Sequence, residues 1–360
     1  MAINLTSKYS PKVAERFVKK SLTTGVANND YEFEGIKTLR VYSVDTVPLT
    51  DYNRSGTSRY GIPSELGDTM QEFTMTQDRA FTYTIDKGNQ KEQLNIKAAN
   101  KSLKRQIDER VIPEMDKYRL EVWCKNAGSQ VPFANAVTKN NITEYIMDCT
   151  EKLDEACAPE TGRTMWITNA GYKLLKQNPD FIGIDKLGEA ALVRGQVGEI
   201  DGMRVVKVPN SYLPDGVFWL ITHKSAILAP AKLQDYKIHR DPPGVNGDLV
   251  EGRIMHDAFV IGAKANAVCI GISADYAQNA PTFTDKANNG TTVAVSADAN
   301  ARVYYTIDGS DPRYSTTAIE ANTTNGINRA SLGTSAVIKG FAVKSGKFNS
   351  PVTTFEFSAS

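Results

Sequence analysis

Residues 94–126, LNIKAANKSLKRQIDERVIPEMDKYRLEVWCKN, carry the longest helical pattern in the chain. Leu103, Ile107 and Val111 recur at i+4, and Met115, Tyr118 and Val122 continue at i+3 and i+4, which places them on one helix face. Ala127-Gly128 supplies the stop. Pro113 sits in the middle. It has no amide hydrogen to donate and disfavours helical backbone at Ile112, so the pattern predicts a bend or brief break there.

Upstream, Ser10-Pro11 reads as a helix start, with Val13, Phe17 and Leu22 on one face and Asn28-Asn29-Asp30 as its end. Thr38–Val44 is β-branched and aromatic, an extended segment. Residues 51–67 form a polar, glycine-rich loop, and Phe73-Thr74-Met75-Thr76 alternates behind it. Phe81, Tyr83 and Ile85 then fall on one face of a strand. A long polar loop returning into a strand describes a hairpin arm that buries little of itself. Such arms make sense where neighbouring copies supply the missing contacts.

Downstream, Asn141 reads as a helix cap and Glu144 as its capping-box partner, with Ile142, Ile146, Cys149, Leu153 and Cys157 on one side. Thr164–Ile167 reads as a buried strand and Ala170–Gln177 as a short helix. Strands follow at 203–208 and 217–222, and Asp257–Ile272 closes the unit as an apolar, strand-like run. This is an α+β unit with long excursions. Near residue 273 the composition changes. Residues 273–360 hold seven basic and seven acidic side chains and no Trp, Cys, His or Met. Residues 273–281 read as a polar linker. Beyond it, Val303–Ile307 runs into Asp308-Gly309, a hairpin signal, and 337–343 and 348–357 bracket a turn at Ser345-Gly346. Short strands at this spacing predict a small β-sandwich.

Chemistry is sparse. The 42 basic and 41 acidic side chains give a net charge of +1, which argues against a dedicated nucleic-acid reader or a basic membrane binder. No apolar run reaches the length of a membrane helix. Four scattered cysteines, Cys124, Cys149, Cys157 and Cys269, fit a reducing cytoplasm. His223, His239 and His256 lie outside any metal-ligand spacing. The turns around Gly195–Gly202 match no phosphate-cradling loop. Asp308 and Asp311 offer carboxylates for a calcium ion, but Asp-Gly and Asp-Pro are ordinary turn chemistry, and the turn is the favoured reading. The expected catalytic, cofactor and metal residues are therefore none, and an enzyme ranks behind a structural or binding protein.

Several segments together resemble the major capsid proteins of tailed bacteriophages with the Hong Kong 97-type fold. They are Asp51-Tyr52-Asn53-Arg54, Val111–Arg119, Gly198–Val206 with Val208-Pro209, Glu251-Gly252-Arg253, and Asp257–Val260. The resemblance spans roughly residues 30–272. It implies an N-terminal arm (1–35), an E-loop region (36–92), a spine helix of the peripheral domain (93–128), and an axial domain with closing peripheral strands (129–272). It also implies hexamers and pentamers in an icosahedral shell around double-stranded DNA, a portal, and a virion assembled in the bacterial cytoplasm. Many members carry a cleaved scaffolding segment. Only about thirty residues precede the E-loop here, so a separate scaffolding protein is expected. Some relatives lock subunits through an E-loop lysine, whereas Asp51–Gly67 holds Arg54 and Arg59 but no lysine. The tail, through Tyr304–Pro312, Ile338–Ala342 and Ser350-Pro351, resembles the immunoglobulin-like C-terminal module of chitobiases. That implies a separable, non-catalytic surface domain (282–360) after the 273–281 linker, with weak glycan contacts. A carbohydrate-binding surface or secreted protein is the second reading.

Overall fold

The computed structural model describes residues 21–28, 38–44, 68–88, 98–178, 196–285 and 291–358, with scattered positions between 31 and 65. The expected N-terminal helix start at Ser10-Pro11 lies outside the described residues. By its contacts the chain divides into two compact units. One holds Met1–Gly35, Met75–Val260 and Lys264–Ala274, and the other holds Ile36–Thr74, Ile261–Ala263 and Asp275–Ser360.

The first unit is organised by a six-stranded mixed sheet. Its spatial order is Ser129–Phe133, Val268–Ser273, Val217–His223, Arg163–Thr168, Met203–Val208 and Gln196–Ile200. The outer pair Ser129–Phe133 and Val268–Ser273 is parallel, as are Arg163–Thr168 and Met203–Val208. All six residues of Arg163–Thr168 are buried, as expected of a strand covered on both faces. The last hairpin turns at Asp201-Gly202, with φ of 49° and 69°, the doubly positive geometry of a two-residue hairpin. The glycine-rich stretch there is a strand connection.

Helices Ile142–Glu155 and Asn169–Lys176 bury Ile142, Ile146, Cys149, Leu153, Tyr172 and Leu175 in the same core as Met165, Ile167, Val205, Trp219 and Cys269. Asn141 does not cap its helix. Its backbone is already helical (φ −110°, ψ −6°), whereas a capping side chain needs extended backbone. Its Oδ1 accepts instead from the Thr138 amide and hydroxyl at 2.7 and 3.0 Å, holding the preceding turn. Cys157 is not on the apolar face. It is exposed in a left-handed conformation (φ 54°) just past the helix end, where Ala158 N–H donates to Leu153 O and satisfies a terminal carbonyl.

The spine reading needs two corrections. The chain stays helical through Pro113: Ala99–Gln106 and Ile112–Lys125 are α-helical and Ile107–Val111 forms a π-helical turn between them. Ile112 itself is helical, at φ −61° and ψ −48°. The irregularity lies one turn before the proline, where wider N–H(i)→O(i−5) pairing, as from Ile112 to Ile107, makes room for a residue without a donor. The extra residue in that turn also rotates everything after it. The buried face is therefore Asp116, Arg119, Leu120, Trp123 and Cys124, and not the stripe through Met115, Tyr118 and Val122. Trp123 donates to Leu228 O at 3.3 Å, and its ring centroid lies 5.5 Å from that of Trp166.

A second sheet in this unit pairs Ala231–Arg240, Gly247–His256 and Gln77–Asp86, all antiparallel. Phe81, Tyr83 and Ile85 are the better-covered residues of the last strand, as the alternation predicts. Gly252 lies beneath the Phe81 and Tyr236 rings, where a side chain would collide with both.

In the second unit, Thr38–Val44 and Asp68–Thr74 pair antiparallel in register from Thr38↔Thr74 to Val44↔Asp68, so a hairpin arm exists as predicted. The tail forms two sheets, Thr282–Asp285/Thr292–Ser296/Ile327–Asn328 and Ile319–Glu320/Arg302–Thr306/Ser335–Val343/Thr353–Ser358. Between them Phe283, Val293, Val295, Val303, Ile327, Ile338 and Phe357 form one core. Asp308-Gly309 does not close a two-residue hairpin. Arg302–Thr306 pairs with Ile319–Glu320 and Ser335–Val343, leaving Asp308 to organise a longer loop. The polar run before the sandwich is tied down: Phe348 N–H donates to Tyr276 O, and buried Gln278 donates to Asp298 at 3.0 Å. Ser350 explains its own motif, since its Oγ accepts from Ala342 N–H at 2.8 Å and its N–H donates back to Ala342 O at 3.0 Å.

Gly271, in the middle of the central sheet, faces the Trp219 indole so closely that no side chain fits. Gly271→Ala should overpack this core and destabilise the protein by roughly 1–3 kcal/mol. A denaturation midpoint equal to that of the parent protein would contradict this packing.

Candidate functional site

Among the described residues no group of His, Cys, Asp and Glu converges as a metal site would require, and no helix is long and apolar enough to cross a membrane. His223 and His256 are buried, and His239 pairs with Glu251 at 3.3 Å on the surface. Cys149 accepts from the Trp219 indole N–H at 3.3 Å inside the core, and burial pushes the thiols of Cys124 and Cys269 up. Asp308 accepts from Ser310 N–H at 3.0 Å and from Thr317 Oγ1 at 2.8 Å, while Asp311 grips Arg313. Burial raises the Asp308 carboxyl, but these hydrogen bonds together hold it below its ordinary value. Both carboxylates are engaged in turn chemistry.

What the structure does build is a pair of buried carboxylates that each hold a segment far away in sequence. The first is Asp116, buried on the spine helix. Its carboxylate accepts from Ser21 Oγ at 2.8 Å, Leu22 N–H at 2.7 Å and Thr23 Oγ1 at 2.5 Å. Arg119, one turn on, donates to Thr23 Oγ1 at 3.0 Å, and Trp166 Nε1 donates to Leu22 O at 3.0 Å. Burial lowers the Arg119 pKa, and Asp116 opposes that shift. Asn28 then bridges to the strand Ile227–Leu228, its N–H donating to Ile227 O at 2.9 Å. Residues 21–28 are thus threaded through a fixed slot with little regular structure of their own.

The second anchor is Asp257, which is 2% exposed. It accepts from Thr76 N–H at 2.7 Å, Thr76 Oγ1 at 3.1 Å, Tyr118 Oη at 2.8 Å and Ala258 N–H at 2.8 Å. Burial and the Asp257 contact push the Tyr118 phenol up to about 12. The Tyr118 and His256 rings also stand edge to face, with centroids 5.5 Å apart. Thr76 lies between the strands Asp68–Thr74 and Gln77–Asp86, so Asp257 holds the backbone where one strand gives way to the next.

The arm itself is solvent-facing at its far end. Leu49, Tyr52 and Tyr60 are 102%, 51% and 86% exposed, with the two tyrosine rings edge to face at 5.0 Å. Asn53 N–H donates to Arg59 O at 3.0 Å and pins the loop around them. Fully burying a Leu side chain stabilises by about 1.5–3 kcal/mol, which this tip leaves unused within one chain.

Sequence reading located the arm but missed both anchors. Asp116 carried a signal, since it precedes Leu120 and Trp123 at i+4 and i+7 and so sits on an apolar face. The rotation introduced by the π turn hid it. Asp257 has no local signal, because three of its four bonds go to residues more than 130 positions away.

A chain from Mycobacterium phage Che8 matches with a TM-score of 0.60 at 17% identity, over 74% of this chain and 96% of that one. A chain from the capsid of the cyanophage P-SCSP1u matches with a TM-score of 0.60 at 16% identity, over 75% and 93%. A chain from the mature capsid of bacteriophage PhiM1 matches with a TM-score of 0.55 at 10% identity, over 75% and 92%. Residues 293–357 match the family described as Fn3 associated. No curated protein matches the sequence. The likeness establishes the fold: a Hong Kong 97-like α+β capsid fold followed by a small all-β sandwich.

Asp116→Ala leaves the Leu22 amide and two hydroxyls without their acceptor, at roughly 1–3 kcal/mol for a buried unsatisfied group. Hydrogen exchange at Leu22 should accelerate at least tenfold, and Asp116→Asn should fall between the two. Unchanged exchange would show that the slot does not depend on this carboxylate.

Acid should also weaken the unit. Burial holds His223 below 6.5, with Lys224, Arg163 and Lys264 adding to the shift against the Thr161 carbonyl. Burial likewise lowers His256, with Arg119 and Arg79 adding and Asp257 and Glu114 opposing. A histidine depressed in the folded state binds fewer protons than the unfolded chain, so stability is full above about pH 6.5 and is lost as pH falls towards the folded pKa. Thermal melts should therefore drop between pH 7.5 and 5.5, and less so in His256→Phe. A flat profile would overturn this assignment.

Proposed function

We propose that this chain is the major structural subunit of a tailed-phage capsid, with no enzymatic role. The observation that carries the reading is coverage. Structures from three phages, two of them from capsids, match over more than nine-tenths of their own length, and the remainder of this chain is additional to them. The anchored arms and the exposed apolar tip support it, because they are economical only when neighbouring copies of the chain complete them.

The subunits form hexamers and pentamers of an icosahedral shell around double-stranded DNA, assembled in the bacterial cytoplasm with a separate scaffolding protein and a portal. A net charge of +1 gives no strong overall attraction to DNA, so retention rests on enclosure and local patches. The sandwich faces outward, since a DNA-filled interior offers poor room for hundreds of added domains. There, weak glycan contacts would count through avidity, a ligand class that rests on the likeness of the tail to the chitobiase module. The same likeness of the tail carries the second reading, a carbohydrate-binding surface or secreted protein.

Electron microscopy of the purified full-length chain separates the two. Shells or capsomer lattices are expected, and dispersed monomers at all concentrations would overturn the capsid reading. Locking is expected to be noncovalent, because the Asp51–Gly67 loop has arginines but no lysine, and an arginine guanidinium stays protonated. Mature particles boiled with reductant should run as monomer, and a ladder of covalent oligomers would contradict this.

A further inference from the structure

We propose that the C-terminal sandwich clamps the root of the arm hairpin, with Tyr314 as the wedge and Gly262 as the seat. The clamp is a second role for the module beyond outward display, and its existence does not depend on the capsid reading. Only its consequence for assembly does.

Three observations converge. The arm hairpin, Ile261–Ala263 and the sandwich belong to one compact unit, although Gln71 and Gly262 are 191 positions apart. Gly262 N–H donates to Gln71 Oε1 at 2.7 Å, which ties the returning strand of the hairpin to this segment. On the same glycine rests the Tyr314 ring. A Cβ at position 262 would meet Tyr314 Cδ2 at 2.7 Å, Gln71 Oε1 at 3.2 Å and Tyr314 Cε2 at 3.3 Å. Glycine is therefore required for close approach, because it alone lets the ring and the amide side chain come together over its backbone.

The loop that carries Tyr314 is built stiff. Asp308 takes the Ser310 hydroxyl at 2.5 Å and the Thr317 hydroxyl at 2.8 Å, and Thr306 Oγ1 donates to Ser310 O at 2.6 Å. Asp311 accepts from the Arg313 amide and Nε, both at 3.0 Å, and from its Nη2 at 2.6 Å. The Tyr314 and Ser315 amides both donate to Asp311 O, and the Arg313 guanidinium lies 5.4 Å from the Tyr314 ring. Burial pushes the Tyr314 phenol up to about 12. Apart from Ile307 at its start, this loop contributes nothing to the sandwich core. A buried ion pair is weak evidence for stability by itself, since desolvation offsets most of its attraction. Here Arg313 and Asp311 hold an aromatic ring against a glycine outside the sandwich. A two-stranded hairpin is marginal alone in water, so a rigid wedge at its root supplies support that its own pairing lacks.

Hydrogen exchange read by mass spectrometry on the full-length chain tests this. Peptides covering 38–44 and 68–74 report the arm, and peptides covering 292–296 and 335–343 report the sandwich core. Tyr314→Ala and Gly262→Ala should each speed exchange in the arm strands about tenfold with the sandwich core unchanged. The double variant should be no faster than the worse single, because both break one contact. Tyr314→Phe should retain protection. Arm strands as protected as in the parent protein in both single variants would overturn the clamp. If Tyr314→Ala also loosens the sandwich core, Gly262→Ala, which lies outside the sandwich, decides alone. Microscopy of the same samples separates the two proposals: faster exchange in a chain that never forms shells keeps the clamp and removes the capsid reading, and unchanged exchange in a shell-forming chain does the reverse.

Discussion

A buried carboxylate at each of two junctions between segments remote in sequence is the constraint around which the first unit is arranged. A segment with little regular structure of its own is held by the groups it meets, and a buried carboxylate gathers several donors at one point. Asp116 accepts three hydrogen bonds from residues 21–23, and Asp257 accepts two from Thr76, one from Tyr118 and one from Ala258. Charges this buried are tolerable only when their lone pairs are filled. The spine helix serves both anchors. Asp116 projects from one side, and Tyr118, two residues on and so about opposite on the helix, reaches Asp257 from the other.

The spine can do this because its π turn sets the phase of the helix after Pro113. Without the extra residue, Asp116 would rotate off the buried face and the stripe through Met115 and Val122 would replace it. Proline, often read as a breaker, is accommodated here by a local change in hydrogen-bond pitch while the helix continues. The aromatic core then fixes the helix against the sheet, with Trp123 and Trp166 in contact and both indole N–H groups bonded to backbone carbonyls. Such polar handles make a tryptophan core directional as well as apolar.

The second unit follows a different logic. Its sandwich is an ordinary small core of alternating apolar residues, and the unusual part is the loop between Arg302–Thr306 and Ile319–Glu320. That loop has more internal hydrogen bonding than a connector needs. The hairpin beside it has less apolar packing than an independent element needs. The wedge of Tyr314 on Gly262 relates these two facts. The polar run read from composition as a linker is itself held from a distance, with Gln278 donating to Asp298 and Lys347 Nζ to Ala277 O.

Local pattern was enough for the α+β class, the hairpin arm, the buried strand at 163–168 and the all-β tail. Each follows from a periodicity or turn residue acting over fewer than about ten positions. The resemblance carried by the 111–119 and 198–206 segments named the capsid fold that the structural neighbours share. Tertiary structure alone decided the rest. Asn141 prefers the turn before its helix because its backbone is already helical, and Cys157 falls past the helix end because the chain turns left-handed there. Asp308-Gly309 opens a loop because Ile319–Glu320, and not the next residues, pairs with the strand before it. Asp257 and Gly262 acquire their roles only when residues 76 and 71, far away in sequence, arrive beside them. Hydrogen-bond partners separated by more than a hundred residues leave no periodic trace in either segment, so folding has to bring them together before their function can be read.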